Sequence, residues 1–394
     1  MASLEKRIKK LKRSWKRLPD KWQSAYARVR AISSKSDKHR IAFQIAGGMG
    51  DHILAARFVR DVTHAAGDIE FDVFCSRPGI AKWIFSDISG CRLIADRKSN
   101  IKILRHEYVG IINAQTFADV IWENKSETQD RIHTTIKNIL ANIRISASDI
   151  QLVIKHHPHL DGYLGHYASL KGYRRHNYLH AAAGIVYGGD KLNLPYDNKI
   201  FSRLGLDATE QYITISNGYD EEAHSEKGKP ATKVYPYFCE IIKSIKQKYP
   251  SIKLVQIGTD TSTPISGIDI NLINMTSLQE ASALIKNARL HIDNEGGLVH
   301  LAAALGTPSA VIFGPTLATY FGYESNLNIA PVVCGGCWWM ERTWMTKCVR
   351  NEEKPPCMYM QSPIDVAKKI CDFISAHEEE VRQSKLANLK SASF

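Results

Sequence analysis

Nowhere does this chain hold the run of about 18 uninterrupted apolar residues that a membrane-spanning helix needs, although 44% of its 394 residues are hydrophobic. Its basic N-terminus lacks the apolar core of about 7–15 residues that marks a secretory signal. The glycine loop Gly48-Met49-Gly50 is followed by Ile53, where a dinucleotide fingerprint needs a third glycine, which argues against a nicotinamide- or flavin-dependent oxidoreductase. There is no internal repeat and no recognisable nucleic-acid module. These absences predict a cytoplasmic protein, and its length predicts two domains.

Charge is unevenly spread. Residues 1–40 carry fourteen Lys/Arg against three acids (Glu5, Asp20, Asp37), so they hold +11 of the chain's +12. The basicity thus belongs to a leader, and the rest of the chain is close to neutral. Leu4, Ile8, Leu11, Trp15, Leu18 and Trp22 recur at steps of four and three, which puts them on one helical face with Lys and Arg around it. Pro19 breaks or restarts that helix. A basic amphipathic helix over residues 1–33 suits an anionic membrane surface, here the inner membrane. The same face also suits docking on the protein's own domain or on a second subunit, which would make a homo-oligomer. Nucleic acid is not an expected partner, because the domains behind the leader are not basic.

Behind the leader, strand and helix patterns alternate. Ile41–Ile45 reads as a strand, residues 46–51 as a glycine-rich loop and His52–Ala65 as a helix. Strands follow at Ile69–Cys75 and Tyr108–Ala114, and a helix-rich part runs from Ile132 to Val186. The pattern restarts at Tyr212–Ser216, with a helix at Val234–Tyr249, a strand at Lys253–Ile257 and a helix at Ser277–Asn287. Such alternation implies parallel sheets and two Rossmann-like domains.

The stretch Asp293-Asn294-Glu295-Gly296-Gly297-Leu298-Val299-His300-Leu301-Ala302-Ala303-Ala304-Leu305-Gly306-Thr307-Pro308, running on to Phe313-Gly314-Pro315-Thr316, carries the most chemistry. A strand ends in an acidic glycine turn, a small-residue helix opens there, and a second strand follows. Gly296 and Gly297 bring bare backbone N–H groups to a helix N-terminus, where a phosphate is favoured. The stretch resembles the signature of glycosyltransferase family 9, the heptosyltransferases, which reads Asp-Thr/Ser-Gly-x-x-His-x-Ala-Ala-Ala-x-Gly-x-Pro and then Phe/Tyr-Gly-Pro-Thr. Five residues before His300 stands Glu295 where the family has Asp, and Asp293 lies two residues earlier. Either acid fits the role, Glu295 with the better spacing.

The resemblance covers most of residues 41–375. The family's first motif, a Gly-x-Gly-Asp-like loop between strand and helix, is matched by Gly48-Met49-Gly50-Asp51, and Asp51 inherits the role of catalytic base. As a plain structural residue, Asp51 would instead cap the following helix. The family's Lys before an aromatic-Pro pair is matched by Thr232-Lys233-Val234-Tyr235-Pro236, with Tyr for the usual Trp. Lys233 is similar to the lysine that contacts the donor diphosphate, where a cation stabilises the leaving group. Ser216 and Asn217 stand where the family places further phosphate contacts. Asp260, after Gly258-Thr259, matches an acid near the ribose, and Met275 begins the segment that lines the base pocket.

Four of the eight cysteines fall within 24 residues as Cys334, Cys337, Cys348 and Cys357, spaced C-x2-C-x10-C-x8-C. Four thiolates opened by C-x2-C can enclose a tetrahedral metal, zinc by default, with iron fitting the same geometry. Disulfides are not expected in a reducing compartment. The set resembles that of the iron-carrying family members that heptosylate bacterial autotransporter proteins. Its role would be structural, pinning a loop rich in Trp338, Trp339 and Trp344. Cys75, Cys91, Cys239 and Cys371 read as core.

The resemblance implies an α/β protein of the GT-B architecture, two Rossmann-like domains facing across a cleft behind a basic helical leader. Residues 1–38 are the leader, 39–195 an acceptor domain and 206–362 a nucleotide-sugar-binding domain with the cysteine loop at 334–357. Residues 363–377 are a helix crossing back to the N-terminal domain, and 378–394 a polar tail. The implied activity is inverting transfer of a heptose or related sugar, from ADP-heptose or a similar nucleotide sugar, to a hydroxyl of a lipopolysaccharide-like bacterial surface glycan or of a protein. One alternative is a protein O-heptosyltransferase acting on Ser of autotransporter adhesins, and another is a non-catalytic sugar-nucleotide-binding protein on the same fold. No catalytic divalent cation is expected, since Lys233 and the helix N-terminus can carry the leaving-group charge.

Overall fold

The computed structural model describes residues 38–98, 105–125, 130–206, 210–220 and 231–376. The expected leader helix, Lys38 apart, and the tail lie outside the described residues. The first sheet contains β1 (Arg40–Ile45), β2 (Glu70–Cys75), β3 (Cys91–Asp96), β4 (Gly110–Ala114) and β5 (Ala118–Glu123) in the order β3-β2-β1-β4-β5. All its pairings are parallel except β4 with β5. The second sheet contains β6 (Tyr212–Ile215), β7 (Lys253–Gly258), β8 (Ile270–Ile273), β9 (Leu290–Asn294), β10 (Ser309–Ile312) and β11 (Leu327–Ile329), all parallel, in the order β11-β10-β9-β6-β7-β8.

The helices, in chain order, are α1 (Met49–Ala66), α2 (Pro78–Ile84), α3 (Arg131–Asp149), α4 (Gln151–His156), α5 (Asp161–Leu170), α6 (Tyr178–Ala183), α7 (Lys199–Leu204), α8 (Phe238–Lys248), α9 (Leu278–Asn287), α10 (Gly297–Leu305), α11 (Ala318–Phe321) and α12 (Pro356–Tyr359). The last, α13, spans described residues 363–376. No helix among the described residues is long and apolar enough to cross a membrane.

Central strands covered by helices on both faces must be apolar on both faces. Ile41, Ala42 and Phe43 of β1 and Ile213 and Ile215 of β6 are fully buried for this reason. Strand order reverses between β1 and β4 in one sheet and between β6 and β9 in the other. At such points helices leave on opposite faces, and a crevice opens at the carboxyl ends of the strands. The two crevices open onto one cleft because α1, which follows β1, packs against α10, which follows β9. Ala55, Ala56 and Val59 of α1 and Leu301, Ala302 and Ala304 of α10 belong to one buried cluster.

Several elements differ from the sequence expectation. α1 opens at Met49, three residues early, so Gly50 and Asp51 lie in its first turn. α8 opens at Phe238 rather than Val234, because the preceding backbone is bonded elsewhere. Thr232 N–H donates to the Met345 carbonyl at 2.8 Å and Tyr235 N–H to Asn294 Oδ1 at 2.9 Å. Edge strands β3, β5, β8 and β11 were not anticipated. Described residues 363–376 do not cross to the first sheet. Val366, Ala367, Ile370, Cys371 and Ile374 bury themselves with Ile241, Ile242 and Ile245 of α8, and Tyr249 Oη donates to the Cys371 carbonyl at 3.0 Å. A stripe that apolar docks on the nearest apolar face, and that face is α8. Cys239 is exposed on α8 and is not core.

The α1–α10 contact depends on a glycine. A Cβ on Gly50 would stand 2.5 Å from His300 Cδ2, and His300 is tethered by a 2.6 Å hydrogen bond between its Nδ1 and Tyr323 Oη. Gly50→Ala should therefore destabilise the fold by about 1–3 kcal/mol, the scale of overpacking. Gly79→Ala, whose Cβ meets no atom within 4 Å, should melt like wild type. Equal melting of the two variants would refute the close contact.

Candidate active site

A cavity of about 840 Å³ occupies the cleft between the two sheets. One wall is the β1–α1 loop and first turn of α1, with Gly48, Gly50 and Asp51. Gly47 has a φ of +102°, and a Cβ there would run into the Asp51 carboxylate. The turn thus needs glycine to make room for the acid. Gly48 N–H donates to Asp51 Oδ2 at 3.0 Å, and Arg175 Nη2 donates to Oδ1 at 3.0 Å. Asp51 both caps the helix and lines the cavity, with its side chain 37% exposed. The capping and the cavity-facing readings of this residue hold together.

The opposite wall is built at the ends of β6 and β9, with Ser216, Lys233, Glu295, Gly296, Gly297 and His300. α10 has Gly296 as N-cap and no side-chain cap, which leaves its first N–H groups to the cavity. Gly296 has an extended backbone and open space where a Cβ would be. Lys233 Nζ stands 3.4 Å from Glu295 Oε2, and His300 Nε2 stands 3.6 Å from Oε1. Of the two acids that the sequence left open, Glu295 is the one that meets the cation. Asp293 faces His291 at 3.4 Å, and burial pushes its carboxyl up. Burial would raise Glu295 as well, but Lys233 and His300 hold it down at about 2.

Three expected contacts lie outside the cavity lining. Asn217 is spent on structure, since its amide donates to Thr263 Oγ1 and the Thr263 carbonyl and accepts from Gln256. Thr232 donates its hydroxyl to the Trp344 carbonyl at 2.7 Å. Met275 is exposed, although its neighbours Thr276, Ser277 and Leu278 line the cavity. Asp260 is at the rim, accepting from Asn274 Nδ2 at 2.6 Å.

The structure adds residues that no local motif marked. Arg175 is buried behind Asp51. Ser262 lines the cavity with a buried hydroxyl that has no partner among the described residues. His157 lies in the lining between the Asp161 carboxylate (2.9 Å) and Gln115 Oε1 (3.1 Å). Arg77 and Asp220 pair across the cleft at 2.8 Å.

The cysteine loop roofs the cavity with Trp338, Trp339, Trp344 and Met345. Cys334, Cys337, Cys348 and Cys357 gather in one neighbourhood. The Cys357 thiol is pushed up by burial and then by the other three, and Cys337 rises to about 11 through burial, Cys348 and Cys334. Among the described residues, however, no group of three or more His, Cys, Asp or Glu stands in metal-holding geometry. The donor set suits a thiolate-bound metal in its chemistry, while the side chains are not arranged as ligands.

Two facing Rossmann-like sheets with a phosphate-ready helix N-terminus and a carboxylate across the cleft define a protein of the GT-B class. A model described as glycosyltransferase family 9 (heptosyltransferase) matches residues 226–351. Over 51 residues the chain is 41% identical to lipooligosaccharide heptosyltransferase 2 of Haemophilus influenzae, a match covering 13% of this chain and only 15% of that relative. Among solved structures it is similar to the glycosyl transferase family 9 protein of Veillonella parvula, with TM-score 0.57 and 14% identity over 87% of this chain and 99% of the other. It is also similar to the dodecameric iron-containing heptosyltransferase TibC of enterotoxigenic E. coli, solved with ADP-D-beta-D-heptose. There the TM-score is 0.54 and the identity 12%, over 86% of this chain and 77% of the other. At those identities the structural likeness speaks for the fold alone, and the sequence match speaks for the segment it covers. Residues 226–351 carry the sequence likeness to glycosyltransferase family 9, and the chain as a whole shares the fold of solved family 9 structures.

Glu295 carries a pH signature. Its folded value of about 2 lies below the ordinary 4.5, so its contribution to stability is full above about pH 4.5 and is lost as pH falls toward 2. The gap in unfolding free energy between wild type and Glu295→Gln should be widest above pH 4.5. It should narrow by at most about 3 kcal/mol by pH 2. Denaturant titrations at several pH values measure it, and a pH-independent gap would count against the Lys233–Glu295–His300 cluster.

Proposed function

We propose that this protein is an inverting glycosyltransferase that moves a heptose or related sugar from a nucleoside-diphosphate sugar to an acceptor hydroxyl. ADP-heptose is the donor suggested by the names of heptosyltransferase structures it resembles. The observation that carries the reading is the single cavity with Asp51 on one wall and Lys233 and the α10 N-terminus on the other. In this reading the diphosphate lies against the α10 N–H groups and Lys233, and Thr276, Ser277 and Leu278 flank the nucleoside. The acceptor hydroxyl gives its proton to Asp51 as its oxygen attacks the anomeric carbon from the face opposite the diphosphate. The bond from that carbon to the phosphate oxygen breaks, and the nucleoside diphosphate leaves with the electron pair. Lys233 and the helix N-terminus stabilise the charge that grows on it.

For the acceptor, the proposal is a bacterial surface glycan. The cysteine loop and the likeness to iron-containing TibC support a second reading, a protein hydroxyl. In either case Cys334, Cys337, Cys348 and Cys357 are proposed to hold one structural iron or zinc that fixes the loop, with no part in the transfer step.

Asp51→Asn should lower turnover roughly 10²-fold or more while ADP binding stays near wild type. Lys233→Ala should weaken ADP binding and turnover together, roughly 10-fold or more, the scale of a hydrogen bond to a charged group. Calorimetry with ADP and kinetics with ADP-heptose separate the two. Wild-type turnover in Asp51→Asn, or unchanged ADP affinity in Lys233→Ala, would contradict the assignment.

Protein purified without chelator should carry about one zinc or iron per chain. Cys334→Ser or Cys357→Ser should lose metal and thermal stability together. Elemental analysis that finds neither metal would refute the proposed site.

A further inference from the structure

We propose that Arg175 is a positioning residue for the transfer step, locking the carboxylate of Asp51 in the orientation that receives the acceptor's proton. This rests on the reading of Asp51 as the base. The argument begins with a mismatch in burial. The Arg175 side chain is 2% exposed and the Asp51 side chain 37%. A half-exposed carboxylate keeps much of its hydration and needs no guanidinium to be tolerated. A buried guanidinium is costly unless an anion and further hydrogen bonds meet it. Here Nη2 reaches Asp51 Oδ1 at 3.0 Å and the Gln115 carbonyl at 3.1 Å, while the buried Nη1 meets no partner among the described residues. Such a half-satisfied charge does not serve stability well, so its benefit lies in what it holds.

The geometry fits that role. Asp51 Oδ2 accepts from Gly48 N–H at 3.0 Å. The two oxygens are thus gripped separately, one by the N-terminus of its own helix and one by a residue 124 positions later in the chain. Arg175 is itself anchored, for its N–H donates to the Tyr320 carbonyl of α11 at 2.7 Å. Gln115, its other partner, lies at the end of β4, beside the crevice that holds the β1–α1 loop. The carboxylate cannot rotate without breaking one grip, and small misplacements of a reacting group are costly to rate.

The test uses the full chain with ADP-heptose, read as release of free sugar into water without acceptor, and ADP as binding probe. Arg175→Met should lower kcat roughly 10- to 100-fold with the KM for the sugar nucleotide and the affinity for ADP unchanged. Arg175→Lys should restore part of the rate. Melting of the four combinations gives a readout apart from turnover. Asp51→Ala should melt lower by about 3 °C or more, because it strands the buried cation. Asp51→Ala combined with Arg175→Met should recover much of that loss. The proposal is overturned by wild-type turnover in Arg175→Met, by kcat and ADP affinity falling together, or by a double variant that melts no higher than Asp51→Ala. Wild-type protein that binds ADP and never turns over the sugar nucleotide overturns the transferase reading instead and, with it, the part of Arg175 in the step. The melts would still show whether the ion pair exists.

Discussion

Everything in the cleft depends on how closely α1 approaches α10. Each helix follows the first or fourth strand of its sheet and points its N-terminus at the same space. Their contact therefore sets the distance between the carboxylate on one side and the bare N–H groups on the other. Small residues make the contact possible, with Gly50 against His300 and Gly297 against Met49. Larger side chains would part the sheets, and the two crevices would no longer share one volume. The cavity is in this sense a product of packing density and not of the loops that line it.

A buried polar chain runs through the same contact. Glu295 faces His300, which bonds Tyr323, which accepts from Arg57 Nη1 at 2.7 Å, and Arg57 Nε donates to the Asp190 carbonyl at 2.6 Å. Arg57 is fully buried on α1. Its partners come from α10, from the segment after α11 and from the stretch leading to the second sheet, so its charge is satisfied only when both sheets are in place. Burial pushes the imidazole of His176 down to about 4, and that ring stacks on Tyr323 at 4.9 Å as a neutral plate. A single guanidinium thus ties the stem of the Asp51 helix to the residue that orients Glu295. Networks of this kind give specificity of arrangement more readily than net stability.

What the sequence revealed follows from which signals are local. The glycine turns, the central strands and the small-residue helix after Glu295 are contiguous patterns, and each stands near where its pattern placed it. The start of α1 was misjudged because Met49 and Gly50 do not resemble a first helical turn, yet Gly48 serves as N-cap and Asp51 closes the turn. Edge strands such as β5, Ala118–Glu123, are only partly buried and carry Asp119 and Glu123, so their pattern is faint. Arg57 looks like any arginine on an amphipathic helix. Nothing near Arg175 signals that it meets a residue 124 positions away. Asn217 and Thr232 fit a motif by position, but their side chains are engaged by Thr263 and Trp344.

The cysteine loop raises a last question of why an irregular segment should need fixing at all. Between β11 and α12 the chain forms no strand or helix, so few ladder bonds hold it, yet it spans the cleft. Gly336 carbonyl meets His166 Nε2 at 2.9 Å, Arg342 Nε meets His159 Nε2 at 3.0 Å, and the ring of Trp338 packs edge-on against Phe321. Trp339 holds a φ of +49°, which a bulky residue adopts only under constraint. The same loop accepts both the hydroxyl and the N–H of Thr232, through the Trp344 and Met345 carbonyls. Lys233 is the next residue. The roof over the cavity and the stem of the Lys233 cation are therefore one mechanical unit. The four thiols lie within that unit, whereas the other cysteines are scattered through β2 and β3 of the first sheet and through α8 and α13. A cross-link placed there would stiffen both walls at once, which is a physical reason for the cysteines to be gathered in this segment.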